Sequence, residues 1–227
     1  MRETKNRICI AIDGPAGSGK STTAKMVAEK LGYLYLDTGA MYRAVTLNAL
    51  QNKVDLNNEN KIVEIAKNSE IRFEKTDHTL KIFLNGVDVT EAIRTPEVTN
   101  SITPVAANPR VRAILVKKQR KFMKNGGVVV EGRDIGTNVY PNAELKIFLV
   151  ASIEERAKRR YKELIEKGIQ VDLDKLKIDI KIRDSHDIGR KTNPLKQAPD
   201  AILVDTSKLS IAQQVDFVLQ KAREVTL

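Results

Sequence analysis

Ile8, Ile10 and Ile12 stand in a short apolar run, Ile8-Cys9-Ile10-Ala11-Ile12, whose β-forming residues suit a buried strand. After a glycine-rich stretch the spacing becomes helical from Thr22, with Ala24, Val27, Ala28 and Leu31 on one face and Gly32 as the stop. Tyr33-Leu34-Tyr35-Leu36 reads as a second strand, and Ala40-Met41-Tyr42-Arg43 begins a second helix running towards Leu50. Compact apolar runs at 127–131, 145–150 and 201–205 predict further core strands, each followed by helical spacing. This β-loop-α-β-α opening and its continuation predict an α/β fold, a parallel sheet with helices on both faces.

Between Ile71 and Val89 the pattern changes to alternation, as in Ile71-Arg72-Phe73-Glu74 and Leu80-Lys81-Ile82-Phe83-Leu84. Alternation broken by Thr76-Asp77-His78 and Asn85-Gly86 predicts short antiparallel strands and hairpin turns, with Val87-Asp88-Val89 returning from the Asn85-Gly86 turn. The stretch reads as an insert over about residues 62–102, within a core formed by 1–61 and 103–227. His78 falls in a polar turn of the insert and reads as an exposed loop residue. His186 lies among Arg183, Asp184, Asp187 and Arg190, but neither histidine has an H-x-x-H or H-E-x-x-H partner, so a protein-built zinc site is not expected.

At 227 residues the chain can bury one large α/β core with a small insert. Runs such as Val128-Val129-Val130 fall far short of the roughly 20 apolar residues that span a bilayer, so no membrane helix is expected. The charged start leads into a strand instead of a signal-type apolar stretch, which predicts a cytoplasmic protein. Cys9 is the single cysteine, which excludes an intramolecular disulfide and a cysteine-built metal cluster.

The net charge of +10 suits nucleic acid, an anionic surface or small polyanionic substrates. Its densest cluster, Lys117-Lys118-Gln119-Arg120-Lys121 with Lys124, falls on a helix patterned by Val111, Ile114, Leu115 and Phe122, where basic residues would cover a solvated face. Aromatic residues make up 4% and are not interleaved with the basic runs, so the stacking platform of a single-strand binder is missing.

The first strand runs directly into Gly14-Pro15-Ala16-Gly17-Ser18-Gly19-Lys20-Ser21-Thr22, the pattern G-x-x-x-x-G-K-S. Glycines let backbone N–H groups turn inward around phosphate oxygens, Lys20 can reach the β- and γ-phosphates, and the Ser21 hydroxyl can join a Mg²⁺ shell. A following helix would present its N-terminus to the anion. The loop therefore predicts a nucleoside triphosphate donor and leaves the acceptor open. Arginines recur at strand or helix ends: Arg43, Arg112, Arg133, Arg183 and Arg190. The planar guanidinium grips phosphate bidentately, and ligands of open α/β sheets gather outside the carboxyl ends of the strands, which Arg43 and Arg133 follow.

Residues 14–22 and 36–43, the segment Ile93-Arg94-Thr95-Pro96-Glu97-Val98, Pro109-Arg110-Val111-Arg112, Glu131-Gly132-Arg133-Asp134-Ile135-Gly136-Thr137 and Arg183-Asp184-Ser185-His186-Asp187 closely resemble the bacterial cytidylate kinases, in order along nearly the whole chain. The G-x-x-x-x-G-K-S pattern is shared by many enzymes, whereas L-D-[ST]-G-A-x-Y-R and G-R-D-x-G-T are highly specific. The resemblance implies a three-layer P-loop kinase fold with a β-rich inserted domain for the nucleoside monophosphate at 62–102 and a helical lid over about 152–190. It implies transfer of the ATP γ-phosphoryl group, with Mg²⁺, to CMP or dCMP by a monomer that needs neither nucleic acid nor membrane.

Carried over by position, Thr38, Thr103, Arg112 and Asp134 would surround cytosine, Arg43, Arg133 and Arg190 the acceptor phosphate, and Arg183 with Asp187 the sugar-phosphate region. Arg159, in an apparent lid helix over 153–164, would approach the donor phosphates; Lys20, Arg133, Arg159 and Arg183 would carry the charge of the transferred group. The family often has serine where this chain has Thr38 and Thr103, and either hydroxyl can serve. Other readings are a monophosphate kinase that also accepts UMP and a nucleotide-dependent nucleic-acid-binding protein. A GTPase is the weaker alternative, although Asn52-Lys53-Val54-Asp55 matches N-K-x-D.

Overall fold

β1 (Cys9–Asp13) is buried along its whole length because it has parallel neighbours on both sides: Ile12 pairs with Glu131 of β6 (Val128–Gly132) and Ile147 of β7 (Leu145–Val150). The computed structural model describes residues 7–75, 80–166 and 168–226. Its sheet has five strands in the order β2-β6-β1-β7-β8, with β2 at Leu34–Asp37 and β8 at Ile202–Asp205 in parallel register with β7. Strands buried on both faces explain why β1, β6 and β7 read as continuous apolar runs.

The chain divides into two compact units, one formed by Met1–Tyr35 with Asn125–Leu227 and the other by Leu36–Lys124. In the first unit, α1 (Lys20–Leu31) and α8 (Ile211–Thr226) pack on the sheet, so Ala24, Val27, Val215 and Val218 close over Ile10, Ile12 and Ile147. Each fully buried isoleucine stabilises the fold by roughly 1.5–3 kcal/mol. α6 (Ile153–Glu166) and α7 (Leu173–Gly189) pack against each other. α1 begins two residues before the Thr22 start that apolar spacing gives. Its first turn is set by the left-handed Gly19 at φ 94° and carries the polar residues Lys20 and Ser21, which hydrophobic periodicity does not register.

In the second unit, α2 (Thr38–Gln51) buries nearly every side chain, from Ala40, Met41 and Val45 to the polar Thr46, and so shows little amphipathic pattern. Around it lie α3 (Glu59–Asn68), α4 (Pro96–Ala107), α5 (Pro109–Met123) and an antiparallel sheet of β3 (Ile71–Lys75), β4 (Leu80–Leu84) and β5 (Val87–Asp88). Asn85 and Gly86 both have positive φ, 50° and 84°, as a two-residue hairpin turn requires. The turn around Thr76-Asp77-His78, with His78, lies outside the described residues. α4 starts at Pro96, ahead of the point where helical spacing resumes in the sequence, because Thr95 caps it through Val98 N–H and proline suits the first helical position.

The basic run on α5 is not wholly a solvated face. Gln119 is fully buried, and Lys118 Nζ donates to the carbonyls of Ala66, Lys67 and Ser69 at 2.9, 3.3 and 2.7 Å, capping the end of α3. Among the described residues, no helix is long and apolar enough to cross a membrane.

Candidate active site

The phosphate loop leaves β1 through Gly14, whose φ of 148° suits glycine and whose place a Cβ cannot share, since it would lie 2.0 Å from Leu149 O. Three successive carbonyls are then held by side chains: Ala16 O accepts from Arg156 Nη1 at 3.1 Å, Gly17 O from Arg159 Nη1 at 3.4 Å and Ser18 O from Thr206 Oγ1 at 2.9 Å. In a planar trans peptide the N–H points opposite the carbonyl, so the amides of Gly17, Ser18 and Gly19 are turned to the other side. Side-chain props thus hold the loop in the form of an anion cradle.

Lys20 lies buried in the first turn of α1 with its Nζ 2.6 Å from Pro15 O. Burial first, then the charge of Arg133, pulls its pKa down to about 7. Two carboxylates face it electrostatically, Asp13 and Glu131. Asp13 accepts from Ile135 N and Gly136 N at 2.9 and 2.8 Å and fixes the turn Ile135–Val139; burial pushes its pKa up to about 6. Glu131 ends the valine run of β6 and accepts from Ser21 Oγ at 2.9 Å.

Four of the expected residues share one charged neighbourhood in the first unit. Arg133 Nε donates to Asp187 Oδ2 at 2.8 Å, and α7 carries Arg183 and Asp187 with Arg190 at its end. Burial alone would raise the Asp187 pKa, yet Arg133, Arg190 and Arg183 hold it below the ordinary carboxylate range. These guanidinium groups gather around Asp187, with Glu131 and Asp184 also close enough to act on Arg133. Asp134 is buried and accepts from Asn138 Nδ2 at 3.0 Å. Arg159 meets the loop from its carbonyl side, where it also donates to Thr206 Oγ1 at 3.1 Å.

The remaining expected residues belong to the second unit. Asp37 caps α2 by accepting from Ala40 N at 2.9 Å and also accepts from Arg43 Nη2 at 2.6 Å. Burial would raise its pKa, but Arg43, the Ala40 amide and Arg94 keep it low, so the carboxylate stays charged and aims Arg43. Thr38 is buried on the first turn of α2, whereas Thr103 is exposed on α4. Arg112 is 2% exposed, lies over the Tyr42 ring at 5.4 Å and donates to Ala106 O at 3.2 Å.

Sequence reasoning missed three participants. Glu131 could have been found as an acid ending an all-valine strand. Arg156 carries no such signal, yet it is 4% exposed and forms a bidentate pair with Asp184 at 3.0 and 2.6 Å while holding Ala16 O. Thr206, just after β8, bonds to the loop across nearly the full length of the chain.

The likeness to known proteins covers this whole arrangement. The family model described as cytidylate kinase matches residues 10–224. A cytidylate kinase of Pediococcus pentosaceus is 55% identical over 215 residues, 95% of each chain, and one of Bacillus thuringiensis is 52% identical over 213 residues, 94% of this chain and 95% of its own. A crystal structure of an uncharacterized protein from Eubacterium ventriosum shares the fold at a TM-score of 0.52 with 14% identity, covering 96% of this chain and 99% of its own. With phosphate loop, arginine cluster and G-R-D turn all inside the matched span, the chain belongs to the cytidylate kinase family.

Proposed function

We propose that the protein transfers the γ-phosphoryl group of ATP to CMP or dCMP, giving ADP and CDP or dCDP. The observation that carries this reading is the side-chain-propped cradle with buried Lys20 beside the Arg133, Arg183 and Arg190 cluster, in a chain of this family. An oxygen of the acceptor phosphate attacks the γ-phosphorus while the bond to the ADP oxygen breaks, so positioning and charge neutralisation are the chain's task and no covalent enzyme intermediate forms. Residues 14–22 bind the donor phosphates, and Arg43, Arg133 and Arg190 the acceptor phosphate. Arg183 and Asp187 hold the sugar-phosphate region, which requires Asp187 to share Arg133 with the substrate. Arg159 reaches the donor phosphates by exchanging Gly17 O and Thr206 for phosphate oxygens.

Thr38, Thr103, Arg112 and Asp134 read the base. Cytosine offers an N4 amino donor to Asp134 and N3 and O2 acceptors to Arg112, whereas uracil would turn its O4 towards the carboxylate. Such a mismatch at buried polar groups discriminates by up to about 10⁴–10⁵.

Mg²⁺ fits the donor side. Ser21 Oγ and Glu131 Oε2 stand together, and Mg²⁺ takes most of its shell from phosphates and water. When bound, it would neutralise charge on the β- and γ-phosphate oxygens. The 62–102 segment is proposed as the monophosphate-binding insert and 152–190 as a lid that excludes water, in a monomeric cytoplasmic enzyme. Product analysis tests the reading. ATP and CMP should yield ADP and CDP in equal amounts, whereas RNA- or DNA-stimulated ATP hydrolysis without CDP would replace it with the nucleic-acid reading.

A further inference from the structure

Glu131 is 4% exposed and its two oxygens are divided between two hydroxyls: Ser21 on Oε2 at 2.9 Å and Tyr35 on Oε1. An ionised carboxylate only accepts, so both hydroxyls donate to it. For Ser21 this has a direct consequence. A hydroxyl that spends its one proton on Glu131 keeps its lone pairs for a cation, which is the orientation a metal-binding serine needs. The arrangement is not guaranteed by Glu131 alone. Its side chain has three rotatable bonds, and the Lys20 ammonium lies close enough to exert a field on it. Asp13, the other acid facing Lys20, is already fixed by two backbone amides. Glu131 is therefore the carboxylate that Lys20 could draw away from Ser21, and the hydrogen bond from Tyr35 opposes that movement.

We infer that Tyr35 is a positioning residue for the metal end of the nucleotide site: from β2 it pins Glu131 so that Ser21 stays oriented towards the cation and Lys20 stays available to phosphate. The alternative is that Tyr35 merely fills the core beside α1 and satisfies its own hydroxyl. The inference rests on the proposed nucleotide site and adds a role for a strand residue outside the loop motif.

Calorimetric titration with ADP, with Mg²⁺ and with EDTA, separates the two. In the wild-type protein Mg²⁺ should strengthen ADP binding. In Tyr35→Phe, which keeps the ring, the strengthening by Mg²⁺ should fall about tenfold, the size expected when a group supporting a metal ligand is lost, with a smaller loss of ADP affinity in EDTA as Glu131 turns towards Lys20. Glu131→Asp, whose shorter arm cannot span both hydroxyls, should show a similar loss. Adding Tyr35→Phe to Glu131→Asp should then cost little more. An unchanged Mg²⁺ effect in Tyr35→Phe, with only a lower melting temperature, would overturn the inference and leave Tyr35 a packing residue. Failure of the wild-type protein to bind ADP at all would overturn the nucleotide site itself, and this proposal with it.

Discussion

In the phosphate loop the groups proposed to face an anion are backbone amides, and the side chains of Arg156 and Thr206 hold carbonyls from behind. In the second unit the order is reversed: the groups proposed to meet a ligand are the side chains of Arg43 and Arg112, which contact Asp37, the Tyr42 ring and the Ala106 carbonyl. A backbone cradle depends on glycine conformations and a tight turn. A side-chain site depends on ion pairs buried enough to stay formed.

The largest effect should come from breaking the backbone side of this contrast. Gly14→Ala places a Cβ against Leu149 O at a φ of 148°, so strand β7 or the loop must move. We expect a stability loss of about 3 kcal/mol or more and loss of nucleotide affinity, read by thermal unfolding and ADP titration. Thr103→Ala, exposed on α4, should change stability by less than about 0.5 kcal/mol.

Asp37→Asn tests the side-chain side. Asparagine can still cap α2 but no longer offers Arg43 a charge, so KM for CMP should rise about tenfold to a hundredfold with donor binding unaffected, matching the roughly 1.5–3 kcal/mol of a charged hydrogen bond. An unchanged KM would show that Asp37 is only a cap.

A pH series sharpens the contrast at Lys20. Burial and Arg133 hold its free pKa at about 7, and bound phosphates would raise it, so binding takes up a proton above that value. ATP affinity should therefore fall as pH rises from about 7, by up to about tenfold per unit, and heats measured in buffers of different ionisation enthalpy should report the uptake. The sign for folding is opposite. An unfolded lysine binds its proton up to the ordinary 10.5, so the Lys20 contribution to the stability of the free protein rises with pH between about 7 and 10.5.

The next effect is confined to stability, at a residue outside the proposed site. Lys118→Met removes the cap on α3 and should cost about 1–2 kcal/mol in unfolding experiments while leaving the kinetics of CDP formation unchanged.

The same contrast explains what could be read from the sequence. The loop was legible because its conformation is written in glycines and in the strand and helix that flank it, and the parallel core because β1, β6 and β7 are buried on both faces. The Asn85-Gly86 hairpin was legible for the same reason, since its turn type demands those residues. Arg156 and Thr206 were not, because a side chain that bonds to a carbonyl more than a hundred residues away leaves no local pattern. The buried face of α5 was hidden differently. A lysine that caps α3 and a fully buried glutamine look in sequence like parts of a charged surface run.

Both halves of the contrast meet in the rate of phosphoryl transfer. The most direct measurement is kcat/KM for CMP, dCMP, UMP and AMP with saturating ATP. CDP or dCDP should form efficiently, with UMP and AMP lower by orders of magnitude and Asp134→Asn narrowing the gap between CMP and UMP. Comparable kcat/KM for CMP and UMP in the wild-type enzyme would contradict that selectivity.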